Sequence, residues 1–182
     1  TMKRPSLDLM REHEAIQIAL NVIELMSERV RFDKGIDPED VRDMIRFLRV
    51  FADECHHGKE ELFLFPALEE IGVQKEGGPI GIMLAQHKRG RELVNQMALS
   101  LKSDSINKDA FVESASNYVS LLREHIEKEN TLTFPFTDAN LPESKQEELM
   151  SDFEKLEKEV IGDGVHEELH ALLEEFSREY LN

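Results

Sequence analysis

The sequence predicts an all-α fold, an up-down-up-down four-helix bundle with a C-terminal helical extension. Three observations carry this. Apolar residues recur at helical spacing almost throughout, whereas β-branched residues are scattered and no period-2 alternation persists. Short breaks separate the first four stripes, and short connections favour antiparallel neighbours. The frame His-x-x-x-Glu-x-x-x-x-Phe-Pro occurs at residues 56–66 and again at 125–135, so helices one and two repeat in helices three and four. Two units are too few for a solenoid, and two similar hairpins make one bundle.

Each element follows from local pattern. Leu9, His13, Ile16, Leu20 and Ile23 form one helical stripe. The segment 33–38 breaks it, with Asp37 as N-cap and Pro38 in the first helical position. The second helix puts Val41, Ile45, Leu48, Ala52, His56, Glu60 and Phe63 on one face, and is expected to bend or end near Pro66, which lacks the amide the ladder needs. A glycine-rich loop spans 72–81. The third helix carries Met83, His87, Gly90, Val94 and Met97, the two methionines reading as core. Residues 103–107 are a polar break. The fourth helix presents Phe111, Ala115, Tyr118, Leu122, His125, Glu129 and Leu132, and Pro135 is expected to close or bend it. Pro142 opens a charged segment, the Gly162-Asp163-Gly164 turn interrupts it, and an amphipathic helix resumes over 165–180. Residues 1–140 are thus expected to form the bundle and 141–182 an extension packed on it.

Bulk composition narrows the function classes. The 182 residues suffice for one domain with a sizeable core. With 22 Lys+Arg against 38 Asp+Glu, the net charge is −16, which repels phosphate backbones and anionic lipid. Nucleic acid and membrane surfaces are therefore not the expected partners. No apolar run approaches the ~20 residues of a spanning helix. The single cysteine, Cys55, forms no intrachain disulfide and suits a reducing compartment, and no charged-then-apolar leader opens the chain. The expected location is cytoplasmic.

The chemistry lies in the repeat. His56 with Glu60, and His125 with Glu129, are i, i+4 pairs that share a helix face. A single histidine precedes each pair, His13 and then His87. Four imidazoles and two carboxylates on four helices can face one interior, where without a metal their charges would be costly to bury. Imidazole and carboxylate together suit iron, with manganese or zinc as alternatives. Six donors suit two metal ions better than one, and a carboxylate can bridge a pair. His57 is about 100° from His56 on an α-helix and shares a stripe with Asp53 and Glu54. We therefore place His57 and Glu61 at the edge of the site, supporting the ligands or adding to them. Tyr118, two turns before His125, is a further supporting candidate. His166 and His170 form an i, i+4 pair with no counterpart elsewhere, and surface or packing roles are the simpler reading for that pair.

These residues, His13, His56-x-x-x-Glu60, His87 and His125-x-x-x-Glu129, each pair followed by Phe-Pro, resemble the hemerythrin-like, HHE cation-binding family over roughly residues 7–140. The resemblance implies a four-helix bundle around an oxo- or hydroxo-bridged, non-haem di-iron centre. It also implies functions in binding dioxygen, sensing oxygen or iron, handling nitric oxide, or protecting and repairing iron centres. The oxygen carriers have a further histidine four residues after the one matching His87. Here that position is Arg91, whose guanidinium stays protonated and does not ligate metal. Simple oxygen transport is therefore not the expectation. The expected function is binding or sensing a small diatomic ligand, dioxygen or nitric oxide, or a response to iron or oxidative stress. One alternative is a redox enzyme that reduces nitric oxide or peroxide with electrons from a separate donor. Another is a metal-dependent module read by a redox or signalling protein. His166 is placed to cap the open end of the site or add a ligand, and the expected state is a monomer or dimer.

Overall fold

The computed structural model describes residues 3–182. Helix α1 spans Pro5–Arg31. After a turn, α2 (Pro38–Phe47) opens with Pro38 in its first turn, and the Asp37 side chain accepts from the Glu39 amide. The chain then stays helical through two wider, π-helical segments, Leu48–His57 and Glu60–Leu64, and runs on into α3 (Phe65–Glu70). Helix α4 (Pro79–Leu99) follows, then a hairpin of two short antiparallel strands, β1 (Leu101–Lys102) and β2 (Ser105–Ile106). Helix α5 (Lys108–Lys128) passes through a π turn, Glu129–Thr133, into α6 (Phe134–Asn140). Helix α7 (Glu143–Leu156), a π turn at Glu157–Ile161 and α8 (Val165–Tyr180) complete the chain. The architecture is all-α, with α1 packed on α5, α5 on α4, and the long helical rod of residues 38–70 touching both α1 and α4.

The two Phe-Pro prolines do not end their rods, one of the two outcomes expected from proline chemistry, since α3 and α6 continue directly through them. A π turn precedes each, Glu60–Leu64 before Pro66 and Glu129–Thr133 before Pro135. The wider turn displaces the carbonyl that the proline ring would strike, and the proline then occupies the first turn of a new α segment, where its missing amide costs little. The same turns shift the helical phase. Leu132, expected on the inner face, is exposed, and Phe63 is half-buried.

The hairpin was also not visible in the sequence, since two-residue strands show no alternation.

Two hydrophobic clusters fill the interior. The larger takes Ile16, Leu20, Phe51, Leu93, Phe111 and Leu122 among others, and includes Leu169, Leu173, Phe176 and Tyr180 of α8. The smaller joins Leu9, Leu64, Phe65, Met83 and Phe134 to Leu149 and Phe153 of α7. The C-terminal helices are therefore part of both cores. Burying each such side chain contributes about 1.5–3 kcal/mol, the main force that offsets the charged layer between the clusters. In α1 that layer is His13, between Leu9 and Ile16. In α4 it is His87, between Met83 and Leu93. In the two rods it lies between Ala52 and Leu64 and between Leu122 and Phe134. Among the described residues no helix is long and apolar enough to cross a membrane.

Candidate metal centre

His13, His56, Glu60, His87, His125 and Glu129 meet in this layer, each 1% exposed or less. Their atoms are arranged as two donor groups with shared members. His13, His56, Glu60 and Glu129 each offer an atom within 4.8 Å of the others, and so do Glu60, His87, His125 and Glu129. The two glutamates belong to both groups. Glu60 turns Oε1 to His56 Nε2 at 2.9 Å and Oε2 to His87 Nε2 at 3.1 Å. Glu129 turns Oε1 to His125 Nε2 at 3.0 Å and Oε2 to His13 Nε2 at 3.1 Å. Each carboxylate thus presents one oxygen to each group.

These approaches are short, yet His13 Nε2, His56 Nε2 and all four glutamate oxygens have no hydrogen-bond partner. The contradiction is one of direction: the atoms are close but do not lie along one another's N–H axes. His87 Nε2 and His125 Nε2 lie 3.1 Å apart and have each other as partners, but the other inward donors crowd together without bonding, which suits a cation held among them, and the nitrogen and oxygen set fits iron, manganese or zinc. The residues present therefore fit the metal pair that the sequence implied.

The outer nitrogen of each imidazole is held. His13 Nδ1 donates to Asn130 Oδ1 at 2.7 Å, His56 Nδ1 to Glu12 Oε1 at 3.2 Å, His87 Nδ1 to Glu61 Oε1 at 2.9 Å and His125 Nδ1 to Gln86 Oε1 at 2.8 Å. An oxygen acceptor fixes the proton on Nδ1 and leaves Nε2 free to face inward, the orientation that metal-ligating histidines use. The phenylalanine of each Phe-Pro closes the other half's histidine. Phe134 stacks on His13 at 5.3 Å between ring centroids, and Phe65 on His87 at 5.8 Å.

Electrostatics follow from this burial. Desolvation pushes the Glu60 carboxyl up, but His56 and His87 override it and hold it well below the usual range. Glu129 is raised by burial and by Glu60, yet His125 and His13 bring it down on balance. Burial opposes charge on His56 and His87, while Glu60 draws them up, to about 10 and about 9 respectively.

His57 is not at a solvated edge. It is 4% exposed, its ring stacks on His87 at 3.8 Å, and its Nδ1 donates to Asp53 Oδ1 at 3.2 Å. The reason is the π-helical segment: a wider turn rotates successive residues less than an α-helix does, so His56 and His57 both reach the interior. Glu61 is half-buried and accepts from His87 Nδ1. Tyr118 is buried and lines a cavity of about 200 Å³ with His57, Asp53, Gly90 and Arg91. His166 is not brought to the centre. Its ring packs 5.4 Å from Phe51 and 4.5 Å from His170.

Sequence reasoning missed Lys59. Set between His57 and Glu60 in a charged stretch, it reads as solvent-facing but is 0% exposed. Its Nζ donates to Asp8 at 2.9 Å, Glu12 at 3.1 Å and Glu157 at 2.5 Å, which ties α1 and the C-terminal region to the helix bearing His56. Desolvation would lower this ammonium's pKa, but the surrounding acids raise it, so it stays charged. Glu12, adjacent to His13 in sequence, was the available signal for an acceptor near the site.

A family model, the hemerythrin HHE cation-binding domain, matches residues 5–137. The chain belongs to that family. Among curated relatives, an uncharacterized protein of Mycobacterium tuberculosis is 26% identical over 132 residues, 70% of this chain and 51% of the relative. The iron-sulfur cluster repair protein YtfE of Salmonella typhimurium is 30% identical over 116 residues, 59% of this chain and 51% of the relative. Its counterpart in Yersinia pseudotuberculosis is 29% identical over 138 residues, 71% of this chain and 62% of the relative. The chain thus spans about half the length of the curated relatives it matches. No solved structure matches it.

Proposed function

We propose that this HHE-family chain is a non-haem di-iron protein that binds or senses a small diatomic ligand, dioxygen or nitric oxide. The observation that carries the reading is the division of each glutamate between two histidine groups, Glu60 between His56 and His87, Glu129 between His125 and His13. His13 and His56 would hold one ion, His87 and His125 the other, and the two carboxylates would bridge. Iron is favoured over manganese or zinc because the YtfE relatives are named for repair of iron-sulfur clusters. A bound iron pair supplies reversible electron transfer and coordination positions for a small ligand.

The protein's own residues do the rest. Phe65 and Phe134 wall the histidines from bulk water, and the acceptors on Nδ1 fix the direction of each ring. The cavity beside His57 and Tyr118 gives a small molecule an approach from the Arg91 side. The sequence carries no flavin or haem motif, so turnover of nitric oxide or peroxide, the alternative reading, would require an external reductant.

The test is anaerobic loading with ferrous iron followed by exposure to air or to nitric oxide. A visible absorption change that depends on His125 and Glu129 is expected. An iron-loaded protein whose spectrum responds to neither gas would contradict the reading.

A further inference from the structure

Beside the metal centre, a cavity of about 200 Å³ opens between the π-helical segment Leu48–His57, α4 and α5. Its walls run from exposed residues, Arg49, Arg91 and Asn95, to the buried Tyr118. The acceptors among them are already taken. Asp53, the carboxylate in the lining, receives Arg91 on both oxygens and His57 on one. Asn95 Oδ1 receives Arg49 at 2.9 Å.

The donors are not used up. Tyr118 is 2% exposed, yet its hydroxyl has no hydrogen-bond partner among the described residues. Burial, with Asp53 adding to it, pushes this hydroxyl's pKa up, so it keeps its proton. A buried O–H left unpaired is costly and calls for an acceptor in the cavity. Arg49 points the same way independently. Its neighbours along the rod, Arg42 and Arg46, pair with Glu39 and Glu168. Arg49 has no carboxylate partner among the described residues, although acids outnumber bases 38 to 22 in the chain. Gly90, in the middle of α4, completes the wall. A Cβ there would meet Leu122 and Tyr118 at 3.6 and 3.7 Å, ordinary contacts, so packing does not require glycine. Alanine would make the better helix, and glycine leaves the space open.

Volume sets the size of the occupant. Sites for organic ligands take ~300–1,000 Å³, and a water's share of the liquid is ~30 Å³. A ligand of a few heavy atoms that only accepts hydrogen bonds fits this cavity, and a planar oxyanion matches the guanidinium fork. We propose that the cavity is an anion site, in which Arg49 and Tyr118, flanked by Arg91, bind one small inorganic oxyanion of the nitrate class. Such a site is independent of the di-iron reading, since its donors are protein groups that hold no metal.

Nitrate is the probe, titrated into the full chain after chelator treatment, so that coordination to a metal cannot supply the affinity. Ionic strength is held constant with a bulky sulfonate buffer. The arginine Nε–Hε resonances of 15N-labelled protein should report one saturable site, with the Arg49 signal shifting and the Arg46 signal unmoved. Arg49→Met and Tyr118→Phe should each weaken nitrate by at least about tenfold, the cost of losing a charge-assisted or buried hydrogen bond. Gly90→Ala, which favours the helix, should also weaken it by filling the space, and Arg46→Met should leave it unchanged. The absence of a saturable shift would mean a cavity filled by water only and would overturn the assignment. So would a shift that survives both Arg49→Met and Tyr118→Phe, or one that Arg46→Met reduces equally, since either marks a general attraction to the surface. The wild-type titration decides the matter even where a variant does not fold.

Discussion

Arg91 grips both carboxylate oxygens of Asp53, at 2.8 and 2.9 Å through a single nitrogen, and Asp53 in turn accepts from His57. Burial alone would raise the Asp53 carboxyl, but His57 and Arg91 hold it down at about 2. A half-exposed arginine thus reaches the interior through one acid. Because the guanidinium also binds Glu61, it fixes two of the acceptors that orient imidazoles. Arg91→Ala should leave the fold intact and weaken the ion beside His87 by about 10–100-fold, the usual cost of losing an outer support. Competition with a chelator measures this. Arg91→Lys should not restore affinity, because an ammonium cannot span both acids.

The pH dependence of the metal-free protein has a defined sign. His56 and His87, with folded-state values near 10 and 9 against an ordinary 6.5, add stability that is complete below about 6.5 and lost as pH rises through 9 and 10. His57 acts oppositely. Burial first, then the charge on His87, pushes it down to about 3, so stability falls as pH drops from 6.5 toward 3. Melting temperatures of chelator-treated protein should therefore peak near neutrality.

Metal loading should release protons. At pH 7 the metal-free His56 and His87 carry protons that a cation displaces. Calorimetric titrations in two buffers of different ionisation enthalpy would give the number released, and affinity should rise with pH toward 9. A buffer-independent heat would contradict the assignment of charge.

Lys59→Met should be strongly destabilising. It leaves Glu12 buried without its cation and releases Asp8 and Glu157 from the contact that joins α1 to the C-terminal region. Removing one partner of a buried ion pair costs about 3–5 kcal/mol, readable as a shift in urea midpoint. The loss should be smaller at pH 4, where protonation relieves the orphaned acids.

Cys55 should be inert in the folded protein. It is 1% exposed, and burial together with Glu12 pushes its thiol far above the usual range. A disulfide reagent should label it only after denaturation.

The repeat made much of this legible. A motif of two pairs and two singles carries its own alignment, so His13, His56, Glu60, His87, His125 and Glu129 could be named from spacing alone. His57 could not be placed, because its stripe was counted at the α-helical stride and the chain there is π-helical. The same assumption put Leu132 inside. Lys59 was hidden for another reason: its partners come from residues 8, 12 and 157, and no local pattern records contacts across the fold. His166 has a ligand-like spacing to His170 but faces Phe51, a choice made by the packing of α8.

The most direct test of the central claim is the metal content of the protein purified from its native host, measured by elemental analysis against chain concentration. Two irons per chain is the predicted result, falling below two in Glu129→Ala. One metal per chain, or stoichiometric zinc in place of iron, would contradict the account.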